Sequence, residues 1–351
     1  MSSAEILLLS AIEDNDELVL ISTEMNQSHG NVYNGEKINL EVLTNEQCRF
    51  MFRFEKQDID RLRVALGIPP KIVCNNGTVA SGIEGLCIVL RRLTYPNRLE
   101  DISPIFQRPL YELSYILSKT LDIIYDHTSQ KLTSLDQEWL SEEYLRTFAE
   151  VIHERGSPLL NCWGFIDSTV MPICRPTRHQ RIVYSGHKRV HGLKFQSVVA
   201  PNGQVANLFG PIEGRRHDSG MLRESGLINQ LEGTMNRVDG TPYSLYRDQA
   251  YPLRPHLIAP YRGAALTAEE QEFDKLMSAV RVSVEWTFGK VLSLFAFLDF
   301  KKNLKLYLQP VGKYYVVATI FTNCHTCLYG SETGTFFGLN PPTLEEYLQQ
   351  A

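Results

Sequence analysis

Three acidic residues lie in three separate segments, each within or beside a stretch whose pattern predicts a regular element. Asp167 follows the apolar residues of GFIDST, Asp248 follows the strand-like residues of YSLYRDQAYP, and Glu285 lies in RVSVEWTFGK. Carboxylates gathered in one place repel each other unless a cation lies among them. Oxygen ligands without cysteine or paired histidine suit Mg²⁺ or Mn²⁺, and two such ions can assist an in-line phosphoryl displacement. We therefore interpret Asp167, Asp248 and Glu285 as candidate catalytic and metal-binding residues.

Each of these acids also has a purely structural interpretation. Asp167 could cap the turn that begins at Ser168, and Asp248 could bond the turn that follows it. Glu285 could form an ordinary helix pair with Arg281, four residues earlier. Spacing alone does not choose between these roles and a metal site.

A fourth carboxylate occupies a strongly basic setting in GRRHDSGML, residues 214–222. Asp218 follows Arg215, Arg216 and His217 directly. The residues alone favour a charged turn that opens a helix, with Asp218 or Ser219 as its cap.

Charge is distributed unevenly along the chain, although the net charge is only -5. Residues 1–60 carry 12 Asp or Glu against four Lys or Arg, whereas residues 175–223 carry nine Lys or Arg against two acids and include four histidines. Such a basic segment is either a solvated face or a contact for a nucleic-acid backbone. Under the second interpretation, the candidate DNA-binding residues are Lys188, Arg189, Lys194, Arg215 and Arg216.

The pattern after Pro158 predicts an α/β domain with a mixed sheet. Strands are expected in CWGFIDST, which Asp167 would close, in LKFQSVVA and QVANLFGP as a hairpin, and in YSLYRDQAY. One helix is expected over SGMLRESGLINQLEG. A long final helix should begin with a capping box of Thr267 and Glu270. The apolar stripe of that helix comprises Phe273, Met277, Val280, Val284, Phe288 and Val291.

The preceding region has a helical pattern. Apolar residues recur at intervals of three and four around Leu86–Leu93 and Leu113–Ile124, and a short helix in RLEDISPIF precedes a longer one that starts at Pro109. Short helix, tight turn and longer helix is the layout of a helix-turn-helix, and also of many helical bundles. The predicted organisation is a loosely ordered lead-in at 1–45, a helical and helix-turn-helix-like region at 46–157, a catalytic domain at 158–330 and a tail at 331–351.

Composition indicates a globular protein of 351 residues with 43% hydrophobic content. No run of about 18 apolar residues predicts a membrane span, and the N-terminus lacks the pattern of a secretory signal. Seven scattered cysteines favour a reducing compartment over a disulfide framework. The lone CxxC of Cys324 and Cys327 is interpreted as a buried apolar pair rather than a zinc site.

Five motifs in order resemble those of the DDE-type transposases of the PIF/Harbinger superfamily. They are GFIDSTVMPICRP, YSGHKRVHGLKFQSVVAPNG, GPIEGRRHDSGML, RDQAYP and RVSVEWTFGK, and the resemblance covers roughly residues 158–330. It implies an RNase H-like catalytic domain preceded by a helical region. It also implies divalent metal ions, DNA strand cleavage and joining, and a separate Myb-like DNA-binding partner.

The resemblance carries over residue by residue. Asp167, Asp248 and Glu285 match the three acids of the family. Asp218 matches a further motif acid, and the resemblance implies that it joins the metal shell while Arg215, Arg216 and His217 balance charge or bind phosphate. Two positions depart from the pattern. Arg247 stands where the family usually has Gly, and Asp274 where Asn is common. Arg247 could tune metal affinity, bind DNA or weaken activity.

These observations favour a metal-dependent nuclease or transposase, a hydrolase of phosphodiester bonds that acts on DNA with two Mg²⁺ or Mn²⁺ ions. The main alternative is a non-catalytic DNA-binding or adaptor protein descended from such a transposase. A phosphohydrolase of small substrates is a third class, but it would gain nothing from the long basic segment. A DNA substrate predicts action in the nucleus, with cytoplasmic residence as an alternative. No membrane association is expected, and homo-oligomerisation is left open.

Overall fold

The computed structural model describes residues 38–248, 254–263 and 265–348. Residues 1–37 of the predicted lead-in, 249–252 of the RDQAYP segment and 349–351 of the predicted tail lie outside these ranges. The chain forms two compact units, each assembled from three stretches. Of the described residues, unit 1 contains 38–129, 171–193 and 292–321, and unit 2 contains those of 130–170, 194–291 and 322–348. The domain ranges given above stay predictions.

The helices and strands are numbered here in chain order. The helices are α1 Asn45–Phe52, α2 Lys56–Ala65, α3 Gly82–Thr94, α4 Leu99–Phe106, α5 Leu110–Thr128, α6 Glu142–Glu154, α7 Gln180–Val183, α8 Asp218–Glu224, α9 Leu227–Thr234, α10 Ala268–Leu294, α11 Val311–Tyr329, α12 Glu332–Phe337 and α13 Leu344–Leu348. The strands are β1 Lys71–Val73, β2 Val79–Ser81, β3 Cys162–Pro172, β4 Tyr184–Ser185, β5 Val190–Val199, β6 Val205–Glu213, β7 Ser244–Arg247 and β8 Leu257–Ile258.

Unit 1 contains the predicted helical region up to Ser129, and the rest of that region, with α6, belongs to unit 2. The apolar positions of α3 and α5 are buried, and the two helices pack on each other. The short helix α4 ends at Phe106, and Gln107 adopts a left-handed conformation in the tight connection to α5. Arg108 follows this turn. Its Nε donates to Glu84 Oε1 at 2.8 Å, and its Nη1 donates to Glu112 Oε2 at 2.6 Å. This arrangement confirms the predicted pair of helices and its tight turn, although α5 begins one residue later than expected.

Unit 2 is built around the sheet, which confirms the α/β class. β3 pairs parallel with β7, and β7 pairs parallel with β8. β5 lies on the other side of β3, and β6 pairs with β5. The turn at Asn202 and Gly203 joins these last two strands, as predicted. In unit 1, β4 pairs antiparallel with the first residues of β5, so the sheet is mixed.

Helix α10 covers one face of the unit 2 sheet. Met277 and Val280 are buried against Phe165 of β3 and Tyr246 of β7. The predicted capping box is present before the helix, since Thr267 N donates to Glu270 Oε2 at 2.8 Å and Glu270 N donates to Thr267 Oγ1 at 3.2 Å. A capped start and a buried apolar stripe together set the position of α10 along the sheet.

Removal of the cap should weaken this helix. Thr267→Ala is expected to lower the free energy of unfolding by about 1 kcal/mol, because a helix-terminal amide loses its partner. Urea denaturation measures the change. Thr267→Ser keeps the hydroxyl and should lose much less, so an equal loss in both variants would contradict the capping role.

Two other segments differ from the sequence-based expectation or refine it. The helix predicted over residues 219–233 is two helices, α8 and α9, because Gly226 adopts a left-handed conformation with φ 65° between them. The predicted tail contains α12 and α13, and Phe337 packs into the unit 2 core.

The CxxC pair lies in α11. Cys324 is fully buried and Cys327 is half-buried, and burial raises the pKa of both thiols. All seven cysteines are free. Among the described residues, no helix has the length and apolar character needed to cross a membrane.

Candidate active site

Asp167 and Asp248 follow the last paired residues of two neighbouring parallel strands. The register of β3 and β7 ends with Ile166 opposite Arg247. The next residue on each strand is therefore an aspartate, and neighbouring strands lie about 5 Å apart. The expectation that Asp167 closes its strand is wrong, because β3 continues to Pro172. The pairing of β3 with β7 ends at Ile166, so Asp167 and Asp248 still lie on neighbouring strands at the edge of the paired region.

The Asp167 carboxylate is mostly enclosed, with 23% of its side chain exposed. Its Oδ1 accepts a hydrogen bond from Ser168 N at 2.7 Å, and its Oδ2 accepts one from Arg281 Nη1 at 3.1 Å. Burial raises the pKa of Asp167, and the charges of Asp248 and Asp218 raise it further, although the Ser168 amide and Arg281 act in the opposite direction. Burial is the largest of these effects, so the enclosed position of Asp167, more than the neighbouring charges, disfavours its ionised form.

Helix α10 supplies the cation at this site. Arg281 directly follows the buried Val280 in this helix. Its guanidinium forms an ion pair with Asp167 and not with Glu285. Glu285 lies one helical turn further along, and it is exposed. In the described part of the chain, no three Asp, Glu, His or Cys side chains lie close enough together to hold a metal ion.

Asp218 is the first residue of α8, so GRRHDSGML does open a helix. The cap, however, is His217 and not Asp218 or Ser219. Lys194 of β5 lies 2.7 Å from Asp218 Oδ1, and it also donates to the Arg216 carbonyl at 3.1 Å. This pair is largely enclosed, with 11% of the lysine and 18% of the aspartate side chain exposed.

The candidate DNA-binding residues fall into two groups. Lys194 and Arg216 are engaged within unit 2, where Arg216 lies 3.0 Å from Glu213 and 3.3 Å from Glu224. The other three residues are exposed: Arg215 lies in unit 2, and Lys188 and Arg189 lie in unit 1.

The two departures from the family pattern have defined positions. Arg247 is 1% exposed, and its Nη1 donates to the Asp248 carbonyl at 2.8 Å. A guanidinium buried in this way supports the backbone at Asp248 and is not placed to contact DNA. Asp274 accepts a hydrogen bond from Tyr261 N at 3.0 Å.

The ion pair of Lys194 and Asp218 yields a stability prediction. Lys194→Met is expected to lower the free energy of unfolding by about 1 kcal/mol, because the enclosed carboxylate loses its partner. Adding Asp218→Asn should recover part of that loss, and a double-mutant cycle by urea denaturation measures the coupling. The exposed Arg215→Gln serves as the control and should change little. Additive effects of the two substitutions would show that the pair does not matter.

Two contacts that shape the site had no signal in the sequence. Arg281 and Asp167 are 114 residues apart, and the sequence suggested Glu285 as the arginine's partner. Lys194 was assigned to DNA because of its basic segment, whereas it binds Asp218. Long-range ion pairs depend on tertiary packing, so neither periodicity nor local charge could have revealed them.

Comparison with known proteins adds to this geometry. Residues 166–323 match the DDE superfamily endonuclease family. The matched segment includes all four candidate carboxylates. It also includes Arg281 and Lys194, the two cations that contact them.

A curated relative gives a more distant match. Protein ALP1-like of Arabidopsis thaliana is 24% identical over 236 residues, which cover 64% of this chain and 55% of the relative. The chain therefore spans about half the length of the curated relative it matches. The comparison with solved structures finds no match.

Proposed function

We propose that this chain is a divalent-metal-dependent DNA endonuclease and, more specifically, a transposase of PIF/Harbinger type. The observation that carries the proposal is the placement of Asp167 and Asp248. They are neighbouring acids after the last paired residues of β3 and β7, in a segment that matches a DDE superfamily endonuclease. The raised pKa of Asp167 supports the proposal, because burial leaves its ionised carboxylate poorly solvated and a bound cation would stabilise that ionised form.

The donor set fits a hard divalent ion. Asp167 and Asp248 offer only carboxylate oxygens, which Mg²⁺ and Mn²⁺ prefer. In the proposal these two residues hold the metal, Glu285 is a third ligand from α10, and Asp218 assists. Two bound ions would supply a water of lowered pKa and would neutralise charge on the phosphate.

The protein's own residues orient these groups. The Ser168 amide holds one oxygen of Asp167, and the Arg247 guanidinium holds the backbone at Asp248. Lys194 holds Asp218 at the start of α8. Such contacts limit the rotation of the Asp167 and Asp218 side chains, whereas the exposed Glu285 would have to move towards them to complete the metal site.

DNA would be bound by the exposed cations. Arg215, Lys188 and Arg189 are free to face solvent and are assigned to phosphate contacts. Lys194 and Arg216 are assigned to holding the acids in place. Action in the nucleus, a Myb-like DNA-binding partner and homo-oligomerisation are further parts of the proposal. Strong salt dependence of binding would separate a DNA substrate from a small phosphate ester.

One observation favours a second candidate function, a non-catalytic DNA-binding or adaptor protein. Arg281 places a cation of the chain itself on Asp167, 3.1 Å from Oδ2. If this ion pair persisted in the presence of metal, the carboxylate would be neutralised without any ion. The protein would then bind DNA through its exposed cations alone.

Nicking of supercoiled plasmid tests the proposal. The folded wild type should nick DNA with Mg²⁺ or Mn²⁺ and not with EDTA, and Asp248→Asn, Glu285→Gln and Asp218→Asn should each reduce the rate. Arg215→Gln should weaken DNA binding without removing a carboxylate. DNA binding without nicking under every metal, on the protein's own DNA ends and with its partner present, would favour the second candidate.

A further inference from the structure

Two aromatic rings and two arginines form a cluster on unit 1, where α1 and α3 end. Phe50 belongs to the last turn of α1, and Arg53 caps that helix. Arg91 belongs to the last turn of α3, and Tyr95 caps it. The centroids of the two rings lie 5.4 Å apart, with the rings tilted by 47°. The proposed nuclease chemistry uses none of these four residues, since the candidate acids all belong to unit 2.

The backbone that carries these side chains is held by contacts within unit 1. The Tyr95 hydroxyl donates to the Phe50 carbonyl at 3.0 Å, and Arg53 Nε donates to the Leu294 carbonyl at 3.0 Å. Phe52, two residues after Phe50, is fully buried and anchors the end of α1. The side chain of Phe50 points the other way and leaves the residue 63% exposed. A well-supported backbone therefore presents one aromatic ring to solvent.

The two guanidiniums share the Tyr95 ring and have no acidic partner. The guanidinium carbons of Arg53 and Arg91 lie 4.9 and 4.3 Å from the centre of that ring, and both arginines keep part of their surface exposed. Among the described residues, no carboxylate forms an ion pair with either of them, and Glu55 pairs with Arg49 instead. Burial lowers the pKa of Arg91, and the charge of Arg53 lowers it further, although Tyr95 acts in the opposite direction. Two like charges held on one ring favour an anion beside them.

We propose that this cluster binds single-stranded DNA, with an unpaired base stacked on Phe50 and a neighbouring phosphate bound by Arg53 and Arg91. A nucleotide offers both a flat π face and an anion, and aromatic rings beside cations are the usual means of binding single strands. Duplex DNA fits less well, because its bases are paired and stacked and leave only phosphates to contact. The choice of DNA rests on the proposed function, since the chain matches a DDE superfamily endonuclease. The site would hold an unpaired strand whether or not cleavage occurs.

Fluorescence anisotropy of the full chain in EDTA tests the stacking contact. The probe is a fluorescein-labelled oligothymidine of about 12 nucleotides, within the range that one single-strand site covers. Phe50→Ala should weaken its binding between about five- and 100-fold, the loss expected for one stacked base. Phe50→Leu keeps an apolar side chain without a π face and should lose nearly as much, whereas Phe50→Trp should bind at least as tightly as wild type. None of the three should change the binding of a blunt duplex.

The salt dependence of the same binding tests the phosphate contact. Arg53→Gln should reduce the slope of log affinity against log salt by about 0.7, because one phosphate contact to a single strand is lost. Lys119→Gln removes one exposed charge from unit 1 outside the cluster and should leave the slope unchanged. Since no metal is present, this assay can succeed when plasmid nicking fails, and nicking can succeed when this assay fails.

Three results would overturn the proposal. Oligothymidine would fail to bind, or it would bind Phe50→Ala as tightly as wild type. Phe50→Leu would bind as tightly as wild type, which would indicate an apolar contact, such as one to a peptide, instead of base stacking. The Phe50 variants would lose duplex binding to the same extent as oligothymidine binding while staying folded. Urea denaturation checks folding, and it should show little change because Phe50 is exposed.

Discussion

Replacing Asp167 with asparagine is expected to reduce metal-dependent DNA cleavage by about 10³-fold or more while raising the free energy of unfolding at neutral pH. Cleavage falls because an amide is a poor substitute for a carboxylate ligand of a hard cation. Stability rises because the folded protein disfavours the ionised carboxyl group. The pKa of Asp167 is raised by burial and by the charges of Asp248 and Asp218, despite the ion pair with Arg281.

The stability effect should depend on pH in a defined direction. A carboxyl group with a raised folded-state pKa contributes stability that is fully present below its unfolded pKa, about 3.9, and is lost as pH rises through the folded value. Asparagine has no such loss. The difference between Asp167→Asn and wild type should therefore be small at the acid end and larger at pH 7.5. Urea denaturation in EDTA at several pH values measures it.

Asp274→Asn is the matched control for this experiment. It removes another carboxylate charge from unit 2, yet it keeps an oxygen that can accept from Tyr261 N. We expect it to retain cleavage. If Asp167→Asn were as active as wild type, Asp167 would not be a metal ligand. If it were less stable at pH 7.5 than at low pH, relative to wild type, the raised pKa of Asp167 would be contradicted.

Replacing Arg281 with glutamine should tighten the binding of Mn²⁺ to the protein by between about 10- and 100-fold. Arg281 lies 3.1 Å from Asp167 Oδ2, where it competes with a cation for the same carboxylate and repels that cation. Two unit charges about 4 Å apart interact by about 4 kcal/mol at an effective dielectric constant near 20, so removing one is a large effect even after solvent screening. Isothermal titration calorimetry with Mn²⁺ alone measures the affinity without any need for activity.

Lys275→Gln provides the control, because it removes one positive charge from the same helix. Lys275 is exposed and pairs with Glu272 on the surface of α10. Its substitution should leave Mn²⁺ affinity nearly unchanged. Equal affinities in wild type and Arg281→Gln would mean that Arg281 does not compete with the ion. Weaker binding in Arg281→Gln would mean that the arginine instead orients Asp167 for the metal.

The two substitutions together distinguish the two candidate functions. A nuclease requires that the metal displace Arg281 from Asp167, so Mn²⁺ should bind measurably to wild type and fail to bind to Asp167→Asn. A non-catalytic protein would keep the ion pair, and Mn²⁺ would bind only after Arg281 is removed. Because both measurements use metal binding, they do not depend on finding the correct DNA substrate.

Local patterns in the sequence predicted the elements around the site, but they missed the hairpin of β1 and β2 inside the region predicted as helical. They also missed α11, which follows the helix that was predicted to be the last. Alternation and β-branched content identified β3, β5, β6 and β7, and the intervals of three and four identified α3, α5 and α10. The capping box at Thr267 and Glu270 located the start of α10 to the residue. These features are short-range, since they depend on which face of one element is apolar and on which side chain can reach a nearby backbone amide.

Chain order and residue type also predicted which acids would form the site, but only the tertiary structure decided which groups meet. The register of β3 and β7 places Asp167 beside Asp248 across 81 positions of sequence, and packing of α10 on that sheet brings Arg281 and not Glu285 onto Asp167. Likewise, Lys194 meets Asp218 because β5 passes the start of α8. Each outcome depends on strand register and helix position, which the whole core determines. A one-residue slip in either would pair different charges, and no local pattern records that choice.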